Sequence, residues 1–239
     1  SGDTKWVEIN IVPITWRDKP ATLCFMTDIT ESHQGKEVLT FLANAGVESP
    51  EEPFFETLAR YLGKSLDMDY VCIDRLDGDG LLAHTVAVWN DGDLDDNSTY
   101  ALKDTPCGKV VGKEVCCFPA RVCQLFPDDQ ALQDLRAESY VGVTLWNHSG
   151  QPIGLIAVIG RRPLVNPALA ESTLKLVAVR AAGELERLDA ESALKVSDAR
   201  HRTILRTAMD GIWRVDSQGQ LLEVNDTYCQ MSGYSRDEL

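Results

Sequence analysis

Apolar and polar residues alternate from Trp6 to Val12 and again from Ala21 to Met26. This period of two, rich in β-branched residues, predicts a hairpin turning at Arg17-Asp18-Lys19-Pro20. The period then lengthens to helical spacing in Gln34 to Gly46 and in Glu51 to Leu66. In the second segment Phe54 or Phe55, Leu58, Tyr61 or Leu62 and Leu66 recur every three to four residues, behind the start signal Ser49-Pro50-Glu51-Glu52. Tyr70 to Leu76 and Leu81 to Trp89 return to strand patterns around Asp77-Gly78-Asp79-Gly80, a hairpin signal. Thr105-Pro106-Cys107-Gly108 opens a short helix-compatible run, Glu114 to Phe118 is strand-like, and Phe126-Pro127-Asp128-Asp129 starts a helix reaching about Glu138. Two strongly apolar strands follow, Ser139 to Trp146 and Pro152 to Ile159, joined by Asn147-His148-Ser149-Gly150.

The longest stretch without proline or tight-turn signals runs from Pro167 to Met209, between Asn166-Pro167 and Asp210-Gly211. Good helix formers fill it, so it reads as one helix, and roughly forty residues span about 60 Å. Its apolar stripe passes through Leu174, Ala178, Ala181, Leu185 and Leu188 and then slips through Ser192 to Val196 and Ala199. The first part is a heptad seam and the slip resembles an eleven-residue repeat. Alanine and serine make this a weak coiled coil, and a marginal seam has two packings close in energy, as a signal-transmitting rod requires. The alternative is a helix whose first half packs on its own domain and whose second half is a solvated spacer.

Composition adds mostly exclusions. An apolar fraction of 44% with 25% charged residues is ordinary for a folded protein. The net charge of −14 argues against nucleic acid and anionic membrane partners, which need a basic face. No apolar run approaches the roughly twenty residues that span a bilayer, and no signal-peptide pattern opens the sequence. The seven cysteines, Cys24, Cys72, Cys107, Cys116, Cys117, Cys123 and Cys229, include no C-x-x-C pair. That spacing fits neither a disulfide framework nor a zinc site and places the chain in a reducing cytoplasm.

Candidate chemistry is sparse. Asp91, Asp93 and Asp95 copy the first ligand positions of a calcium loop, but Asp96 stands where glycine is needed and Leu102 where a bidentate glutamate is needed, so a solvated loop is expected. His33, His84, His148 and His201 are scattered over different elements, and neither a metal site nor a catalytic constellation is predicted. Cys107, Cys116, Cys117 and Cys123 fall within seventeen residues and suggest redox chemistry around one pocket. That reading requires lowered thiol pKa values, with Lys109, Lys113 and Arg121 as the available cations; simple space filling is the alternative.

Two resemblances organise these pieces. Trp6-Val7-Glu8, the hairpin and Thr27-Asp28-Ile29-Thr30-Glu31 resemble the closing strands of a PAS domain, a small sensory module whose terminal Asp-Ile-Thr marks the junction with the next helix. Asp210-Gly211-Ile212-Trp213, Leu221 to Asn225 and Met231-Ser232-Gly233-Tyr234-Ser235 resemble the opening of a second PAS domain. Between them, Thr105-Pro106-Cys107, Phe126-Pro127, Glu138-Ser139-Tyr140-Val141-Gly142-Val143 and Gly150-Gln151-Pro152-Ile153-Gly154 resemble a GAF domain in order and spacing.

The resemblance implies an α+β fold: a GAF-like antiparallel sheet of about six strands with helices on one face, a pocket under irregular segments on the other, and a long C-terminal linker helix. It divides the chain into a PAS hairpin at 1–33, a GAF domain at 34–191, a long signalling helix at 167–209 and the start of a second PAS domain at 210–239. The function implied is a sensory module of a bacterial, cytoplasmic signal-transduction protein such as a sensor histidine kinase or a diguanylate cyclase or phosphodiesterase. It would bind a small molecule or relay a conformational signal to a catalytic output domain outside this chain, as a homodimer joined through the long helix. The alternative is a ligand-free structural dimerisation and spacer module. Ligand-contact candidates are Cys107, Cys117, Cys123 and Tyr140, and signal-coupling candidates are Asp28, Ile29, Thr30, Leu185 and Leu188. No cofactor is assigned. Family members that carry bilins present a cysteine beside histidine or within Asp-x-Cys-Phe, whereas here Cys107 follows Pro106 and Cys117 precedes Phe118 without the aspartate. The signature of cyclic-nucleotide-binding members is likewise not visible between Val110 and Tyr140.

Overall fold

The computed structural model describes residues 5–17, 19–45, 52–78, 80–207, 210–235 and 238, with side chains at all of these except 31, 34, 198, 201, 202 and 204–207. The predicted helix ends at Gly46 and Met209, the start signal Ser49-Pro50-Glu51 and the turn residues Asp18 and Asp79 lie outside the described residues. Two compact units are present, Ser1–Leu185 and Glu186–Leu239.

The first unit opens with β1 (Val7–Trp16) and β2 (Lys19–Asp28), an antiparallel pair in which Val7 stands opposite Asp28 and Trp16 opposite Lys19. Pairing runs further towards the turn than the alternation predicts, because Arg17 takes a left-handed conformation that lets the strands reverse tightly. α1 (Thr30–Asn44) follows, four residues ahead of the predicted start at Gln34.

The main body begins with α2 (Phe54–Ser65), which buries Phe54, Phe55, Leu58, Ala59 and Leu62 as its spacing predicts. Next come β3 (Tyr70–Leu76), β4 (Leu82–Asn90), β5 (Asp93–Asp95) and β6 (Thr99–Ala101), so the acidic loop contains a short strand. After them stand α3 (Pro106–Val110), β7 (Val115–Phe118), α4 (Val122–Leu125) and α5 (Gln130–Leu135), the last stopping short of the expected Glu138 because Arg136 turns left-handed. The body closes with β8 (Ser139–Trp146), β9 (Pro152–Gly160) and the start of α6 (Pro167–Thr207).

The sheet is antiparallel with strand order β5-β4-β3-β9-β8-β7, and β6 also pairs with β4. Seven strands therefore occupy six positions across the sheet. Register assigns the two faces, since directly paired residues point the same way. Val71 pairs with both Trp89 and Val158, and Val158 pairs with Val141, which places these four on the α2 face. Cys72 pairs with Ala157, Asp74 with Leu155, and Gly142 with Ala157, so these residues share the opposite face. Burial of both faces explains why β8 and β9 read as unbroken apolar runs rather than alternating ones.

The long helix corrects one expectation. Leu174, Val177, Ala178, Ala181 and Leu185 are buried in the first unit, so the stripe predicted as a seam between two helices covers this sheet instead. Leu188 is half-buried where that cover ends, and 189–197 are exposed. Among the described residues, the large apolar side chains of α6 left exposed are Leu176, Val179, Leu194 and Val196.

The second unit carries the rest of α6 with β10 (Trp213–Val215), β11 (Leu221–Val224) and α7 (Asp226–Ser232). Asn225, only 4% exposed, holds these pieces together. Its Oδ1 accepts from the backbone N–H groups of Ile212 and Tyr228, each at 2.9 Å, and its Nδ2 donates to the carbonyl of Asp210 at 2.9 Å.

Candidate functional site

The sheet face opposite α2 is roofed by α3, α4 and α5. Short polar caps start two of these pieces: Thr105 Oγ1 accepts from Gly108 N at 3.1 Å, and Asp129 Oδ1 from Leu132 N at 3.2 Å. Beneath this roof lies a core of Cys72, Leu102, Cys107, Val110, Val122, Phe126, Leu132, Tyr140, Leu155 and Ala157. Tyr140 is fully buried and lies down along its strand over Gly142, where a Cβ would come within 2.6 Å of its hydroxyl oxygen. This glycine is therefore required by close approach.

A polar chain crosses the apolar interior. Tyr140 donates its hydroxyl to Cys107 Sγ at 3.2 Å. The Tyr100 hydroxyl lies 2.8 Å from Asp74 Oδ2 and 3.5 Å from the same sulfur. Asp74 is fully buried, and its Oδ1 has no hydrogen-bond partner. Burial pushes this carboxyl up to about 6, opposed by the hydrogen bonds of Tyr100 and Cys72. The same desolvation pushes both phenols well above their usual range, and Cys72 is pushed up by its hydrogen bond to Cys107 and by burial.

Of the four ligand-contact candidates, Cys107 and Tyr140 meet directly. Cys123 lies at the margin of the same core and gives its thiol to the carbonyl oxygens of Ala137 at 2.8 Å and Leu132 at 3.2 Å. Cys117 does not join them: it pairs with Val141 and so points to the α2 face, towards Glu171 of α6. The four neighbouring cysteines therefore do not surround one pocket. Burial also moves thiols the wrong way for the redox reading, pushing Cys117 up to about 11 and Cys123 above its ordinary value.

Sequence reasoning missed Asp74 and Tyr100. The signal was an acid in register with Tyr70, Cys72 and Leu76 on the apolar side of a strand, a position that water never reaches.

The junction candidates do come together. Asp28 Oδ1 accepts from Thr30 Oγ1 at 2.6 Å and from Thr30 N at 3.0 Å, while Lys5 Nζ stands 3.1 Å from Oδ2. These bonds, the Thr30 side chain first, hold the Asp28 carboxyl down at about 2. Trp6 N donates to Thr30 Oγ1 at 3.0 Å and Ile29 N to the Trp6 carbonyl at 2.9 Å, so the start of β1, the end of β2 and the start of α1 are one knot. The early helix start at Thr30 follows from this capture of its N–H. A cleft of about 750 Å³ adjoins the knot, lined by Asp28, Thr30, Asp67, Asp69, Arg162 and Asn166 among others. Sequence reasoning did not foresee it.

Arg161 braces the roof. It reaches Asp91 with both guanidinium Nη atoms and donates its Nε–H to the Leu135 carbonyl at 2.9 Å, while its backbone N–H meets Asp69 Oδ2 at 2.7 Å. Asp91 of the acidic segment is thus a structural anchor. No group of three or more His, Cys, Asp or Glu able to hold a metal ion occurs among the described residues. No helix among them is long and apolar enough to cross a membrane.

A GAF-domain family model matches residues 50–185. The chain belongs to the GAF family. On either side of this GAF domain, PAS-domain models match residues 1–31 and 199–239. Among solved structures the chain is similar to the GAF domain from an Acinetobacter phosphoenolpyruvate-protein phosphotransferase, with 13% identity, a TM-score of 0.52, and 68% of this chain and 97% of that one covered. It is also similar to the chromophore-binding domain of an unusual bacteriophytochrome from R. palustris, at 9% identity and TM-score 0.52, covering 77% of this chain and 70% of that one. The chromophore-binding domain of a Stigmatella aurantiaca bacteriophytochrome gives 11% identity and TM-score 0.50, with 74% and 69% covered. At these identities the likeness is one of fold. No curated protein sequence matches the chain. GAF and PAS domains are regulatory sensor domains, and the chain is a sensory signalling module.

Proposed function

We propose that this GAF domain, flanked by PAS segments, is a dimeric relay of a cytoplasmic, two-component type signalling protein. Its state passes along α6 to the PAS segment and from there to a catalytic output domain in the same polypeptide. The observation that carries this reading is that α6 is one unbroken helix from Pro167 to Thr207, with its first half built into the GAF core and its continuation leading to the second PAS segment. From Leu185 to Thr207 a change in the core meets continuous helix. Coupling through such an element is worth about 1–3 kcal/mol in typical allosteric proteins.

In this proposal the PAS hairpin occupies 1–33, the GAF domain 34–191 and the second PAS segment 210–239. Asp28, Ile29 and Thr30 receive the upstream signal, and Leu185 and Leu188 hand it on where the helix leaves its sheet. Because Leu174, Val177, Ala178, Ala181 and Leu185 face their own core, dimer contacts fall to the exposed Leu176, Val179, Leu194 and Val196. Cys107, Cys123 and Tyr140 line the interior that a small molecule would enter.

A second reading, a ligand-free dimerisation and spacer unit, is favoured by the filling of that interior: Val110, Tyr140 and Leu155 are all 0% exposed. Native mass spectrometry at micromolar concentration, with an absorption spectrum, tests both. A dimer mass that Val179→Glu converts to a monomer supports the relay, and a monomeric wild type contradicts it. A stoichiometric extra mass makes the module a chemical sensor, and a clean protein mass favours the ligand-free form.

A further inference from the structure

Asp74 lies in the floor of the GAF interior without a counter-charge. The titratable groups facing it are Tyr70 and Cys72 on its own strand and Tyr100 on β6, with Cys107 on α3 and Tyr140 on β8 behind them. Their surroundings push Cys72 and the Tyr70, Tyr100 and Tyr140 phenols up, so these groups are neutral at physiological pH. An ionised carboxylate in this setting has lost its water and gained only neutral donors, which favours the protonated form.

The Tyr100 hydroxyl has one proton and two acceptors, Asp74 Oδ2 at 2.8 Å and Cys107 Sγ at 3.5 Å. While Asp74 is ionised the charge-assisted bond wins and the hydroxyl points to the sheet. When Asp74 takes up a proton that advantage falls away, the new carboxyl O–H can donate to a neighbour, and the Tyr100 proton is free to turn to sulfur. Of these groups only Cys107 belongs to the roof, on α3, whereas Asp74, Tyr100 and Tyr140 stand on strands of the sheet. The protonation state of one carboxyl therefore decides how the roof is tied down.

We propose that Asp74 is a proton-binding site that couples pH, through Tyr100 and Cys107, to the hold of α3 on the GAF sheet. Its direction follows from linkage. The folded carboxyl, at about 6, lies above the unfolded value of 3.8, so the folded state binds the proton more tightly. The stabilisation is fully present below the unfolded value and is lost as pH rises through about 6. A separation of this size corresponds to about a hundredfold change in the folding constant between the two limits.

The test is urea denaturation of the full chain from pH 4.5 to 8 for wild type and Asp74→Asn, with hydrogen exchange of residues 105–111, corrected for intrinsic rate, at both ends. Wild type is expected to lose stability as pH rises through the window, with Asp74→Asn flatter and the more stable of the two at pH 8. Protection of the roof should change with pH relative to that of 139–146. Parallel pH profiles for the two proteins overturn the proposal, and so does roof protection that is identical at both pH values. Carboxyl carbon NMR of wild type reads the site without any substitution: a midpoint near 6 is expected, and one near 4 overturns the assignment.

Discussion

Leu185 of α6 rests directly on Gly154 of β9: a Cβ at position 154 would lie 2.8 Å from Leu185 Cδ1 and 2.4 Å from the Asp74 carbonyl oxygen. Removing the side chain from above and adding one from below should therefore both damage the contact. Leu185→Ala is expected to cost about 2–5 kcal/mol, the range for a fully buried leucine. Gly154→Ala is expected to cost about 1–3 kcal/mol by overpacking, because the backbone oxygen beneath it cannot yield as a side chain can. Urea denaturation checks both, and a neutral Gly154→Ala would show that the helix does not sit where it is described.

Arg161→Ala removes the clamp on Asp91 and the bond to the Leu135 carbonyl. The guanidinium is over a third exposed, so the loss of stability should be modest, about 1 kcal/mol or less. Its effect on local opening should be larger, with faster hydrogen exchange over 130–137. Arg161→Lys should not rescue that protection, since an ammonium cannot reproduce the fork that serves Asp91 and Leu135 together.

In the second unit, Asn225→Ala removes three hydrogen bonds of one buried side chain and the cap of α7. Loss of the cap alone is worth about 0.5–2 kcal/mol. The expected result is loss of protection centred on 210–232, measured by hydrogen exchange. Asn225→Asp should retain the two bonds accepted at Oδ1 but lose the donor to Asp210.

The Asp28 knot has an acid dependence of fixed sign. Its folded carboxyl, at about 2, lies below the unfolded value of 3.8, so its contribution is present above the unfolded value and is lost as pH falls through about 2. A carbon NMR titration should place the Asp28 midpoint near 2, with the Thr30 amide shifting in step. A midpoint near 3.8 would mean that the Thr30 bonds are not made in solution.

The architecture was legible because strong local signals agreed with one another. Thr105-Pro106, Asp129 and Asn225 each start a helix as their chemistry predicts, and paired apolar runs gave β8 and β9 to within a residue. The seam on α6 was misleading, since heptad spacing at Leu174, Ala178, Ala181 and Leu185 is the same whether the stripe meets another helix or a sheet. Cys117 was grouped with Cys107 by proximity in sequence, although successive strand residues point to opposite faces. Asp74 and Tyr100 escaped notice because their partnership joins residues on different strands, and only the register brings them to one point. The absence of a ligand signature did not reveal the filled interior, which depends on Tyr140 lying over Gly142.

The central claim is that the GAF core and the distal part of α6 share one state. Hydrogen exchange across 186–207 and 210–235, compared between wild type and Leu185→Ala, tests it most directly. The account predicts that loosening Leu185 lowers protection beyond 186 and alters exchange in the second unit, which the substitution does not touch. Lost protection in the core with 186–207 and 210–235 unchanged would contradict it.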